Sequence, residues 1–128
     1  MRYRFQKHYT RDEARALLPQ IREWLDELTV ARGHLGTYEQ RLAVLLSGGN
    51  DVGGEIVNQW VRTFAHLKQT LKEFQRRGIL IKELDRGLID FPAILGGKEV
   101  FLCWERGEED IEFWHDLESG YAGRERLE

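Results

Sequence analysis

The stretch Gly87–Arg124, GLIDFPAILGGKEVFLCWERGEEDIEFWHDLESGYAGR, decides the fold. Its apolar runs are parted by Gly96-Gly97 and by Arg106-Gly107-Glu108-Glu109-Asp110, the pattern of short antiparallel strands joined by tight turns. Just upstream, Ile79–Leu84 supplies a further strand and Asp85-Arg86-Gly87 the turn into Leu88-Ile89-Asp90-Phe91. Two more strands are expected at Glu99–Glu105 and Ile111–Asp116, which completes a small antiparallel meander. In the third strand Val100, Leu102 and Trp104 face one way and Phe101 and Cys103 the other, so that strand is expected to be central and covered on both sides. In the fourth, Ile111, Phe113 and His115 share a face opposite to Glu112, Trp114 and Asp116. Pro92 lacks an N–H, which should end the regular pairing of its strand or place it at an edge.

Working outward, the segment before the sheet reads as helical. Thr10-Arg11-Asp12-Glu13 has the form of a capping box. Leu17, Ile21, Leu25, Leu28, Leu35, Leu42 and Leu45 then form an amphipathic stripe to about Leu46. Pro19 is expected to bend that helix, and the gap at Gly33 and Gly36 to mark a distortion or the close approach of another helix. Ser47–Gly54, with four glycines, is a loop, and it lacks the strand and the Gly-Lys-Ser/Thr ending of a phosphate-binding loop. Val57, Trp60, Phe64, Leu67, Leu71 and Phe74 alternate spacings of three and four, the seam of an antiparallel partner helix. Arg76-Arg77-Gly78 closes it with two cations and a glycine able to cap.

The fold class is therefore α+β: a long antiparallel helical hairpin packed with a small C-terminal antiparallel β-meander. Its 128 residues suit a single domain, with the hairpin over 10–77, the sheet over 79–118 and a C-terminal tail over 119–128. A hydrophobic content of 41% with 32% charged residues fits a folded chain in water. A formal charge of -3 offers no general attraction for a phosphate backbone, so nucleic acid is not an expected partner. No apolar run has the length of a membrane span and the N-terminus lacks the apolar core of a signal peptide, so no membrane association is expected. A single Cys103 excludes an intrachain disulfide and suits a reducing, cytoplasmic setting.

Asp90, Cys103, His115, Asp116 and Glu118 are the residues whose chemistry could build a site. A histidine with carboxylates can hold a divalent metal and an activated water, and Asp90, His115 and Glu118 are the candidate ligands. A cysteine near a histidine can become a nucleophile, although mid-strand Cys103 also reads as a small core residue. The bland readings have Asp90 fixing a turn before Phe91-Pro92, Trp104 and Trp114 as cross-strand core partners, His115 bonded to a backbone group, and Arg124 paired with an acid.

The chain also carries His8-Tyr9-Thr10, Glu13-Ala14, Leu17-Leu18-Pro19, Gly87-Leu88-Ile89-Asp90-Phe91-Pro92-Ala93, Leu102-Cys103-Trp104, Gly107-Glu108, Trp114-His115 and Gly120-Tyr121-Ala122-Gly123-Arg124. In these motifs, spread over nearly the whole chain, it resembles the prokaryotic family known as domain of unknown function 2203. That resemblance implies no activity and no catalytic residue. The candidate groups form no recognised constellation, so the reading preferred from the sequence is a protein-interaction or scaffolding module with no required cofactor. It is expected to act as a homo-oligomer, or with another protein, through Leu25, Leu28, Leu35 and Leu42 of a first helix that outreaches the second. The alternative is a small metal-dependent or ligand-binding protein centred on His115.

Overall fold

A computed structural model describes residues 2–49 and 54–128 of the chain. Two helices, α1 (Arg11–Ser47) and α2 (Glu55–Arg76), precede five strands, β1 (Leu80–Glu83), β2 (Leu88–Leu95), β3 (Lys98–Glu105), β4 (Phe113–Asp116) and β5 (Glu125–Arg126). The strands form one antiparallel sheet in sequence order, an α+β fold with a meander. The chain divides into two compact units, one made of the residues through Glu23 with Glu73–Glu128, the other of Trp24–Lys72. No helix among the described residues is long and apolar enough to cross a membrane.

The start of α1 is set locally. Thr10 N donates to Glu13 Oε1 at 2.9 Å and Glu13 N donates to Thr10 Oγ1 at 3.1 Å, the two reciprocal bonds of the capping box. The helix passes through Pro19, and Ala14, Leu18 and Ile21 present its buried face. In the same unit the other end of the helical segment is capped as the sequence implies: Gly78 adopts φ 68°, its N donates to Gln75 O, and Ile79 N donates to Phe74 O.

One face of the sheet carries Ile89, Phe91, Ala93, Val100, Leu102 and Trp104, all buried. Tyr9 meets Phe91 edge to face at 5.5 Å, and the Arg22 guanidinium lies 5.5 Å from the Trp104 ring, so this face meets the start of α1. Trp104 and Trp114 share that face but are not opposite each other: Trp104 pairs with Ile89 and Trp114 with Leu102. Pro92 lies inside β2, between β1 and β3 in sheet order, without ending it. The β1 ladder reaches only to Asp90, so beyond it β2 is a local edge, and there the Pro92 carbonyl accepts from Tyr9 N at 2.7 Å.

Two expected boundaries shift. β4 begins at Phe113 rather than Ile111, because the Asp110 carboxylate accepts from the Ile111 N–H at 2.7 Å and removes it from the ladder. The expected tail contains a 3-10 turn at Tyr121–Gly123 and the short strand β5, which pairs with β4. The Ser47–Gly54 loop falls in part outside the described residues, at 50–53.

In the Trp24–Lys72 unit the helices run as an antiparallel pair, with Glu39 beside Trp60 and Glu27 beside His66. Leu25, Leu28 and Leu35 are buried within this single chain and Leu42 is half-buried, so the stripe proposed for self-association is largely covered already. The α2 seam also differs from the reading above. Ile56, Trp60, Thr63 and Leu67 are half-buried and Thr70 is buried, whereas Val57, Phe64 and Leu71 are exposed. Hydropathy passed over the two threonines; Thr70 is accommodated because its hydroxyl donates to His66 O at 3.1 Å within the helix.

Gly33 and Gly36 lie within continuous α1, and a Cβ at either would meet nothing within 4 Å, so neither serves a close helix approach. Alanine at each position should therefore stabilise the helix by up to about 1 kcal/mol. Urea unfolding of Gly33→Ala, Gly36→Ala and the double variant checks this. A loss of stability would mean that the glycines meet a surface outside this chain.

Candidate functional site

The other face of the sheet carries Leu88 and Asp90 from β2, Phe101 and Cys103 from β3, and His115 from β4, all of them buried. Their meeting follows from register. Asp90 is the direct partner of Cys103, and His115 is the partner of Phe101, so the period of two brings the three polar side chains together. The ligand atoms of Asp90, Cys103 and His115 all lie within 4.8 Å of one another. Asp90 is thus a strand-interior residue with a buried partner set, and not the turn residue of the bland reading.

His115 is held by a bond that fixes its tautomer. Its Nδ1 lies 2.7 Å from the Asp116 carbonyl, which can only accept, so the Nδ1 proton points there. Nε2 then faces Asp90, at 3.1 Å from both carboxylate oxygens. In a neutral imidazole that nitrogen is a lone pair aimed at an anion, an arrangement that needs either a shared proton or a cation between them. Burial pushes the Asp90 carboxyl above its ordinary pKa, and the His115 charge and hydrogen bond offset only part of this. Burial, followed by the Asp90 carboxylate, pushes the Cys103 thiol up to about 12, against the partial opposition of the Arg124 guanidinium. At neutral pH Cys103 alone is a thiol and a poor nucleophile.

A pocket of about 260 Å³ opens beside this cluster, lined by Lys82, Leu88, Asp90, Phe101, His115, Leu117, Glu118, Gly120 and Tyr121. Glu118 stands at its rim with an exposed side chain and pairs with Arg4 at 3.1 Å, apart from the Asp90–Cys103–His115 trio. Asp116 does not join either: alternation sends it away from His115, where it accepts from Lys98 Nζ at 2.6 Å. Arg124 pairs with Glu108 at 2.7 Å, as the sequence suggests, and its guanidinium stacks 3.8 Å from the Phe113 ring and 4.2 Å from that of Tyr121. Sequence reasoning missed Lys82, Phe101 and Tyr121 as lining residues. Alternation along β1 could not have found Lys82, because the ladder has a bulge between Ile81 and Glu83 and it is Glu83 that pairs with Leu88.

The N-terminal arm crosses this face beyond the pocket. Glu99 accepts from Arg4 N at 2.8 Å, from Phe5 N at 3.0 Å, and lies 2.7 Å from His8 Nε2, while Phe5 meets Phe101 edge to face. Burial would raise the Glu99 carboxyl, but the His8 and backbone hydrogen bonds outweigh it and hold the pKa below its ordinary value. A depressed acid contributes stability above its unfolded pKa and loses it as pH falls through the folded one, so the arm should loosen only in acid. Glu99→Ala should speed amide exchange at Arg4 and Phe5 at neutral pH while leaving β2 and β3 protected. Unchanged exchange at those two amides would show that the arm is held by other contacts.

The family model described as "Uncharacterized conserved protein (DUF2203)" matches residues 7–127. No curated protein and no solved structure matches the chain.

Proposed function

The chain belongs to the uncharacterised DUF2203 family, and we propose that it binds a divalent transition-metal ion through Asp90, Cys103 and His115 at the floor of the small pocket. The observation that carries this reading is the Asp116 carbonyl on His115 Nδ1, the kind of outer hydrogen bond that orients a metal-bound histidine, with Nε2 aimed at a carboxylate and a thiol nearby. One nitrogen, one oxygen and one sulfur donor suit zinc better than a hard cation such as magnesium. Ligand atoms around tetrahedral zinc stand roughly 3.3–3.8 Å apart, a spacing that small side-chain movements from the present positions can reach. Glu118 stays outside the ligand set, and a fourth position is left for the pocket side. Elemental analysis of protein purified without chelator, then of protein loaded with zinc, tests the reading. About one zinc per chain, and cobalt substitution with a thiolate charge-transfer band, would support it; protein that holds no stoichiometric metal after loading would remove it.

A second reading, self-association as a protein-interaction module, rests on a different observation. Val57, Val61, Phe64 and Leu71 are exposed along one flank of α2, with Phe64 stacked on Trp60 at 5.1 Å. An apolar stripe of this kind fits a second copy of the chain better than bulk water. Light scattering across a concentration series decides it: a monomer at every concentration removes the reading, while a dimer weakened by Val61→Glu with Leu71→Glu supports it. The buried, free thiol of Cys103 supports placing the protein in a reducing, cytoplasmic setting.

A further inference from the structure

The pocket beside Asp90 and His115 has a charge left over. Lys82 of β1 lines the pocket beside Asp90, and its Nζ lies 5.4 Å from the centroid of the Phe101 ring. Among the described residues no salt bridge reaches it, although its charge acts on Asp90 from a distance, while the other charged groups of the lining are matched at close range. Glu118 pairs with Arg4, and Asp90 faces His115. With one proton shared between Asp90 and His115 that pair is neutral overall. A divalent ion held by the Asp90 carboxylate, the Cys103 thiolate and a neutral His115 is neutral overall as well. In both cases one positive charge remains, that of Lys82.

The remaining walls specify what should accompany the opposite charge. Leu88, Phe101 and Leu117 are apolar, and about 260 Å³ lies below the usual range for drug-sized ligands, so the occupant has only a few heavy atoms. A phosphate dianion is poorly served by one lysine without an arginine fork or a helix N-terminus in the lining. An amine would meet Lys82 as a like charge. We propose that this pocket binds a small organic monocarboxylate, its carboxylate paired with Lys82 and its short hydrocarbon body packed on Leu88, Phe101 and Leu117. This deepens the reading of the pocket as the protein's ligand site, and its charge count does not depend on the metal.

The test uses the full chain, zinc-loaded and zinc-free, titrated with butyrate, inorganic phosphate and butylamine while backbone amide shifts and metal content are followed on the same samples. Butyrate should bind saturably, with shifts centred on Lys82, Leu117, Gly120 and Tyr121. Phosphate and butylamine should not. Lys82→Met, which keeps the hydrocarbon stem of an exposed residue, should weaken butyrate by at least about tenfold, the scale of one lost charge-assisted hydrogen bond, and leave zinc content unchanged. Absence of saturable butyrate binding in both forms, equal binding of phosphate, or indifference to Lys82→Met would overturn the proposal. Butyrate binding by a protein that cannot hold zinc would support it and sink the metal reading alone; a protein that holds zinc and ignores butyrate in both forms would do the reverse.

Discussion

Replacing His115 by alanine is expected to empty the metal site and to destabilise the metal-free protein by up to about 3–5 kcal/mol, the scale of a buried charge that loses its partner. The side chains of His115 and Asp90 are each only 2% exposed, so water cannot replace the lost imidazole at the carboxylate. Asp90 recovers part of the cost by taking up a proton, since burial already raises its pKa. Asp90→Asn should remove the metal equally well but cost far less stability, because it deletes the buried charge and leaves an amide that can still meet Nε2. The unequal stability effects with the same loss of metal separate a binding site from a purely structural pair. Metal affinity falling less than about a hundredfold in both variants would be no more than a missing outer partner costs, and would argue against direct ligation.

The second large effect is expected at Trp104, on the opposite face of the same strand. Its ring is fully buried, and its Nε1 donates to Glu108 O at 2.9 Å. Trp104→Ala should cost about 3–5 kcal/mol through the cavity alone, against a total stability of about 5–15 kcal/mol for a domain. It also takes from the Glu108 carbonyl the shorter of its two donors, leaving Arg22 Nη2 at 3.3 Å, and removes the ring under Arg22. Trp104→Phe keeps much of the packing and should cost less, near that of one lost hydrogen bond plus a smaller void. Denaturant unfolding of the two variants checks the order. A Trp104→Ala protein within 1 kcal/mol of the parent would mean that this face of the sheet is not the core described above.

Features written in neighbouring residues were legible before any coordinates. The Thr10–Glu13 box, the Gly78 cap and the Gly96-Gly97 turn depend on contacts within a few positions, so the sequence states them directly. The faces of β3 followed from alternation for the same reason. What stayed hidden depends on distant partners. Nothing local says that Thr63 and Thr70 turn inward on α2 while Phe64 and Leu71 turn out, or that Glu125 and Arg126 return to pair with β4. In the site, Asp90 and His115 could be nominated by chemistry, but only the pairing of Asp90 with Cys103 brings the thiol to them. Glu118 has the chemical type of a ligand, but its pairing with Arg4, far away in sequence, takes it elsewhere.

The borders of the sheet bear on how copies of this protein can meet. β1 has four residues with a bulge at its end, and β5 has only two, both charged and exposed. Such borders offer a neighbouring chain too few free amides and carbonyls to extend the ladder, and they place charge where an incoming strand would lie. Where β2 runs on past β1, Pro92 has no N–H to offer and its carbonyl is taken by Tyr9, so growth by strand addition, the route to fibres, is disfavoured along that border as well. At high concentration the chain should accordingly stay free of amyloid-type deposits, and any assembly it does form should be of helices.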